Sequence, residues 1–160
     1  MKYCLALSRW IVGAVFIFSG FVKGIDPWGF QYKITDYLHA FGWDSLAWAA
    51  MPASFLLPFA EFIIGVGLLF SVLPRMASLL ALLFMAYFTP LTLYLAIKNP
   101  VTDCGCFGDA LIITNWQTFY KNVVLIVLAI VLFVFRKKLT PLFPAKIGQA
   151  GAALFTFAYV

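Results

Sequence analysis

Two cysteines, Cys104 and Cys106, are separated by a single glycine in the stretch TDCGCFGDAL, residues 102–111. A disulfide between them would close a small, strained ring, and strain makes a disulfide easier to reduce than a structural bridge. Three interpretations are open: a redox-active dithiol, a soft-metal site, and inert residues of a turn. We favour the dithiol, because a closed thiolate site for a metal needs three or four ligands. The single histidine, His39, lies far away in the sequence.

A carboxylate, Glu61, lies near the middle of a long apolar run. Such a group is costly at membrane depth unless it is protonated, paired or facing water. We expect Lys23 to be its partner, since its long stem can reach Glu61 from the end of the preceding apolar run. The pair either holds the helices in register or works as a proton acceptor or ligand-binding group. Of the other candidates, we expect His39 to face solvent or headgroups and Cys4 to be a small buried apolar residue.

The composition identifies the setting in which these residues act. Of the 160 residues, 64% are hydrophobic and only 11% are charged, and the mean hydropathy is +1.00. These values lie outside the range of soluble domains and predict a membrane protein. The net charge of +5 is therefore interpreted as a signal of membrane topology, and nucleic acid is not an expected partner.

Four apolar runs are long enough to span a bilayer, at about 3–25, 52–72, 75–97 and 116–135. The expected fold is an all-α membrane protein with a four-transmembrane-helix bundle. Between the first two spans, apolar residues at helical spacing predict an interfacial helix in the first outer loop. The chain is expected to divide into a bundle, 1–138, and a linker, 139–160, that starts a partial fifth apolar helix. This last helix is either truncated or re-entrant, and we favour truncation.

Basic residues near the span ends predict the orientation, because they collect on the cytoplasmic side. Seven fall on the side of the N terminus and four on the other side. The first group is Lys2, Arg9, Arg75, Arg136, Lys137, Lys138 and Lys146, and the second is Lys23, Lys33, Lys98 and Lys121. The N terminus is therefore expected in the cytoplasm, which puts Cys104 and Cys106 in the periplasm of a Gram-negative cell.

Two motifs carry a resemblance to a known family. The first span, RWIVGAVFIFSGFVKGIDP, resembles the opening of DoxX-like membrane proteins, and the loop DCGCFGD followed by NWQTFYKN is similar to the MauE (methylamine utilisation) branch of that group. The resemblance covers residues from about 5 to 138. It implies an inner-membrane bundle with a role in the thiol-disulfide chemistry of exported proteins. It also implies that Cys104 and Cys106 are the redox pair and that Arg9, Lys23 and Glu61 are polar positions inside the bundle.

The leading functional hypothesis is an inner-membrane thiol-disulfide oxidoreductase whose Cys104–Cys106 disulfide exchanges with a periplasmic thiol protein or domain. Electrons would pass to or from a membrane carrier, for which quinone is the expected class, near Trp116 and Phe107. The rival hypothesis is a non-enzymatic membrane component built around Glu61 and Lys23, such as a small transporter, a metal-handling protein or an assembly subunit. The sequence names neither the substrate nor the direction of electron flow.

Overall fold

The computed structural model describes residues 2–101, 105–107 and 113–139, and within these ranges it contains helices and no strands. The helices are α1 (Lys2–Ile25), α2 (Pro27–Ala40), α3 (Ala50–Leu69), α4 (Pro74–Lys98) and α5 (Asn115–Val134), with short 3₁₀ segments at Asp44–Ala49 and Arg136–Lys138. The predicted all-α fold class is confirmed. The predicted fifth apolar helix lies outside the described residues.

The described residues include four candidate membrane spans, formed by α1, by α3 with the 3₁₀ segment before it, by α4 and by α5. The helix α2 occupies the stretch in which an interfacial helix was predicted. The largest error in the predicted bounds concerns the second span, which ends at Leu69 and not near position 72. It ends early because Ser71 and Leu73 adopt the left-handed backbone conformation, with φ of 56° at both residues, which no α-helix continues.

Local sequence signals fix the helix ends that frame the loop between α4 and α5. The helix α4 ends where Asn99 adopts the left-handed conformation, with φ of 47°, before Pro100. The helix α5 begins with a capping box, in which Thr114 accepts from the backbone of Gln117 and Gln117 accepts from the backbone of Thr114. The Asn115 side chain then donates to the Asn99 side chain at 2.8 Å. This bond ties the two ends of the loop together.

Glycines allow α1 and α3 to cross almost backbone against backbone. A Cβ atom placed on Gly20 would lie 2.6 Å from the Pro58 carbonyl oxygen, and one placed on Gly65 would lie 2.7 Å from the Ile17 nitrogen. Both distances are shorter than real Cβ atoms permit. Small residues at such crossings let transmembrane helices gain van der Waals contact without a hydrophobic driving force.

The interior of the bundle is layered by polarity. An apolar cluster from all four spans occupies the middle; its buried residues include Val12, Phe16, Ile64, Leu68, Ala81, Met85, Ala129 and Leu132. Towards the start of α5, the buried residues become polar: Ser19, Lys23, Glu61, Thr92, Asn115, Thr118 and Asn122. A second polar group lies at the opposite end of the bundle, where Arg9 donates to Ser71 at 2.5 Å.

Candidate functional site

The predicted ion pair between Lys23 and Glu61 is present inside the polar layer. The Lys23 Nζ atom lies 2.8 Å from Glu61 Oε1 and 2.9 Å from Oε2. Lys23 is 3% exposed and Glu61 is 5% exposed. The Lys23 ammonium also lies 5.1 Å from the centre of the Phe30 ring, so α2 covers the pair from the side. A buried pair of this geometry compensates charges that would otherwise be costly at membrane depth.

Ser19 joins the ion pair to the cysteine loop. Its hydroxyl lies 2.9 Å from Glu61 Oε2 and 2.8 Å from the backbone oxygen of Cys106. A hydroxyl has one proton to donate, so an ionised Glu61 competes with the Cys106 carbonyl for it. The ion pair and the docking of the loop are therefore linked through one side chain.

The described part of the loop, residues 105–107, is seated on the bundle by contacts on both sides of Cys106. Gly105 has φ of +61°, and its α-carbon faces the Lys33 side chain of α2. The Phe107 ring packs edge-on against the Phe18 ring at 5.4 Å. The Lys121 ammonium lies over the Phe107 ring, 4.1 Å from the ring centre. Three helices thus hold the loop through residues that flank the cysteine.

A small cavity of about 30 Å³ lies beneath the loop, which is room for water-sized molecules. Its polar lining residues are Ser19, Lys23, Glu61, Cys106, Lys121 and Asn122. Its apolar lining comes from α1, α4 and α5 and includes Phe16, Phe84 and Leu125. Cys106 and the ion pair therefore face one shared space, although the sequence had offered them as the centres of two rival functions.

Sequence reasoning missed Ser19 and Asn122 as members of this site. A signal was available for each of them. Ser19 precedes Lys23 by four residues and so shares its helix face. On α5, Asn115, Thr118 and Asn122 recur at the same helical spacing within an apolar span, and all three are buried. Asn122 donates to Thr92 at 3.2 Å, which closes the polar layer between α4 and α5.

Other candidates from the sequence lie elsewhere. Arg9 is buried at the opposite end of the bundle, next to Ser71. His39 is exposed, as predicted, and contacts Asp44. The prediction that Cys4 is buried is wrong, since it lies exposed on an outward face of α1 beside the exposed Tyr3 and Leu7. Such a face meets lipid, where an apolar thiol needs no burial.

Two of the sequence expectations for the cysteine loop concern Cys104 and a metal site. Cys104 lies outside the described residues. Among the residues that the structure describes, no three His, Cys, Asp or Glu side chains come together in a group that could hold a metal ion. Of the two loop cysteines, Cys106 is therefore the one whose contacts the structure describes.

Residues 1–135 match the model of the family described as methylamine utilisation protein MauE. The chain belongs to the MauE family. The match includes all four spans, α2 and both cysteines of the loop, so the site lies wholly inside the part that defines the MauE proteins. Comparisons with curated proteins and with solved structures found no match. The MauE part of the resemblance is confirmed, and the wider relation to DoxX-like proteins stays a prediction.

The Ser19 contact gives a testable prediction for this MauE protein. In a Cys4→Ser, Cys104→Ser background, Ser19→Ala should raise the alkylation rate of Cys106 by a soluble maleimide roughly 5-fold. The reason is that one hydrogen bond is worth about 1 kcal/mol of loop docking. Ser78→Ala is the control, because Ser78 is also buried but bonds to Arg75 within its own helix. Equal rates in the Ser19→Ala variant and the background protein would contradict the predicted role.

Proposed function

We propose that this MauE protein is an inner-membrane thiol-disulfide redox protein whose Cys104–Cys106 disulfide exchanges with thiols of exported proteins. The observation that carries the proposal is the position of Ser19, which hydrogen-bonds both to the buried Glu61 and to the backbone of Cys106. A loop that served only as a connection would have no need of a buried, ionisable pair beneath it. Here the cysteine and the pair share one cavity.

The chemistry of disulfides explains why a carboxylate would be useful there. Forming a disulfide from a dithiol releases a pair of electrons and a pair of protons, and the reverse reaction takes them up. Glu61 is a protonatable group beside the loop, and Lys23 compensates its charge when it is ionised. In the proposed reaction a quinone takes up the electron pair and both protons as the dithiol is oxidised, and Glu61 relays one of these protons from the cavity.

The basic residues support an N terminus in the cytoplasm and the loop on the periplasmic side, where disulfides form and persist. The proposed partner is therefore a thiol-containing protein or domain outside the inner membrane. For the electrons, we propose a membrane carrier of the quinone class. At the start of α5 the exposed Trp116 ring packs near Phe119 and Tyr120, which supplies an aromatic surface for a ring-shaped carrier at the same end of the bundle.

The test is a redox titration with mass tagging of the full chain in membranes. The expected result is that Cys104 and Cys106 lose their tags together as the potential is raised, while Cys4 keeps its tag throughout. Membranes containing the chain should also oxidise a reduced dithiol peptide when a soluble quinone is added. The Cys4→Ser variant is the control and should behave like the natural chain. Full oxidase activity in a Cys104→Ser, Cys106→Ser variant would overturn the proposal.

The geometry of the ion pair favours a second function. Lys23 and Glu61 contact each other directly, and no cysteine side chain takes part in that contact. In this alternative the protein is a non-enzymatic membrane component, such as a small transporter, a metal-handling protein or an assembly subunit, and the cavity is its working site. For a transporter or an assembly subunit, replacing both loop cysteines would then leave the function intact, whereas replacing Glu61 would abolish it. A soft metal that purifies with the chain and is lost with Cys104→Ser would favour the metal-handling form.

A further inference from the structure

The described residues that line the cavity carry more positive than negative charge when the lysines and the carboxylate are ionised and Cys106 is a neutral thiol. Among its described lining residues are two lysines, Lys23 and Lys121, and one carboxylate, Glu61. Glu61 already lies within 2.9 Å of the Lys23 ammonium through both of its oxygens. Lys121 therefore adds a positive charge that this carboxylate does not neutralise. Cys106 lines the same cavity and is the described group there that can acquire a compensating negative charge as a thiolate.

The position of Lys121 is fixed by its contact with the residue next to Cys106. Its ammonium lies 4.1 Å from the centre of the Phe107 ring, and the side chain is partly buried on α5. A lysine held over an aromatic face is oriented and partly desolvated. A thiolate next to a lysine is stabilised relative to the thiol, and the effect grows as water is excluded.

The other described charged groups near the loop lie on α1, α2 and α3. The helix α1 contributes Lys23 and α3 contributes Glu61, which pair with each other. The helix α2 contributes Lys33, whose stem lies against Gly105, and the described lining from α4 is apolar, with Phe84, Met85 and Phe88. Asp103 and Asp109 adjoin the segment in sequence and would oppose a thiolate, and both lie outside the described residues.

We propose that Lys121 stabilises the thiolate of Cys106, so that Cys106 is the cysteine that leaves when the disulfide is attacked and Cys104 is the one that accepts the incoming thiol. This assignment deepens the proposed redox function and rests on it. It gives the two cysteines different roles, which their positions in the sequence alone do not distinguish.

The exchange step balances as follows. A substrate thiolate attacks Cys104 Sγ, a new disulfide forms between the substrate and Cys104, and the Cys104–Cys106 bond breaks. Its electron pair stays on Cys106 Sγ as the thiolate beside Lys121. A second substrate thiolate then attacks the substrate sulfur of the mixed disulfide and releases Cys104 as a thiolate. The substrate is oxidised to a disulfide and the loop is reduced. A leaving thiol with greater thiolate character departs faster.

The test follows the pH dependence of Cys106 alkylation by iodoacetamide in the purified full chain, with Cys4→Ser and Cys104→Ser to leave a single cysteine. We expect Lys121→Gln to reduce the rate near pH 7 by about 10-fold and to move the rise of the pH–rate profile to higher pH. Lys121→Arg should restore most of the rate, because it keeps the positive charge. Lys138→Gln is the matched control, since Lys138 lies over the Phe135 ring at the opposite end of α5.

A pH–rate profile for Lys121→Gln that coincides with that of the background protein would overturn the assignment. A loss of rate in both Lys121→Gln and Lys121→Arg, with an unmoved profile, would also overturn it, since that pattern reports a change of access and not of charge. The alkylation rate reports the fraction of Cys106 that is present as the thiolate, and it does not require catalytic turnover. A shifted profile in a chain that fails to oxidise the dithiol peptide would therefore retain the thiolate assignment and reject the redox function.

Discussion

Replacing Glu61 with alanine is expected to lower the free energy of unfolding of the bundle by about 3–5 kcal/mol, the cost of leaving a buried charge unpaired. Lys23, 3% exposed, would lose both of its carboxylate contacts, and Ser19 would lose one of its two acceptors. Unfolding by a denaturing detergent, followed by far-UV circular dichroism, measures the change. Asp44→Ala is the control, because Asp44 is an exposed carboxylate and its loss should cost much less.

A charge-free replacement of the whole pair separates a structural role from a functional one. In a Lys23→Met, Glu61→Leu variant neither charge is left unpaired, so most of the stability lost in Glu61→Ala should return. If the pair serves the redox reaction, this stable variant should still oxidise the dithiol peptide at least 10-fold more slowly than the natural chain. A variant that recovers both stability and activity would show that the pair only holds the helices together. A Glu61→Ala chain as stable as the natural one would contradict the predicted cost itself.

Replacing Gly20 with valine should cost about 3 kcal/mol, at the upper end of what an overpacked interior usually loses. The new side chain would start 2.6 Å from the Pro58 carbonyl oxygen and 2.7 Å from the Phe62 nitrogen, and backbone atoms of a helix cannot swing aside. The same detergent unfolding measures it. The milder change Gly20→Ala is diagnostic, because alanine favours a helix by about 1 kcal/mol over glycine, so any net loss reports the helix contact.

Two further measurements complete the test of the Gly20 contact. Ala14→Val adds volume on an exposed position of α1 and should leave the free energy of unfolding almost unchanged. Gly20→Val should also increase the alkylation of Cys106, because α1 carries both Ser19 and Lys23 and would be displaced from α3. Gly20→Val and Ala14→Val chains of equal stability would show that α1 and α3 do not approach as closely as described.

The sequence predicted the spans and the ion pair because both follow from strong local constraints. A span of suitable length must be apolar, and an intramembrane carboxylate such as Glu61 requires a partner that its neighbouring helix can supply. Lys23 satisfied that requirement by its place near the end of α1. The start of α5 was predicted from its apolar run to within about one residue, and the structure adds the capping box of Thr114 and Gln117 there.

The meeting of the cysteine loop with the ion pair could not be predicted in the same way. It depends on how far α1 and α3 approach, which is set by glycines whose contacts are invisible in one sequence. It also depends on single atoms, such as the Cys106 carbonyl oxygen near Ser19 and the Phe107 ring beneath Lys121. Hydrophobic periodicity reports which helix face is buried, but it does not identify the partner that covers that face.

The close crossing of α1 and α3 has a consequence for the order in which the protein is made. Both helices, with Lys23 and Glu61, precede the cysteine loop along the chain, and at about 5–20 residues per second they leave the ribosome seconds before it does. Their contact through Gly20 and Gly65 needs no later segment. We therefore expect Ser19, Lys23 and Glu61 to be in place before Cys106 is translated, and the pocket to be completed only when α5, which carries Lys121, follows.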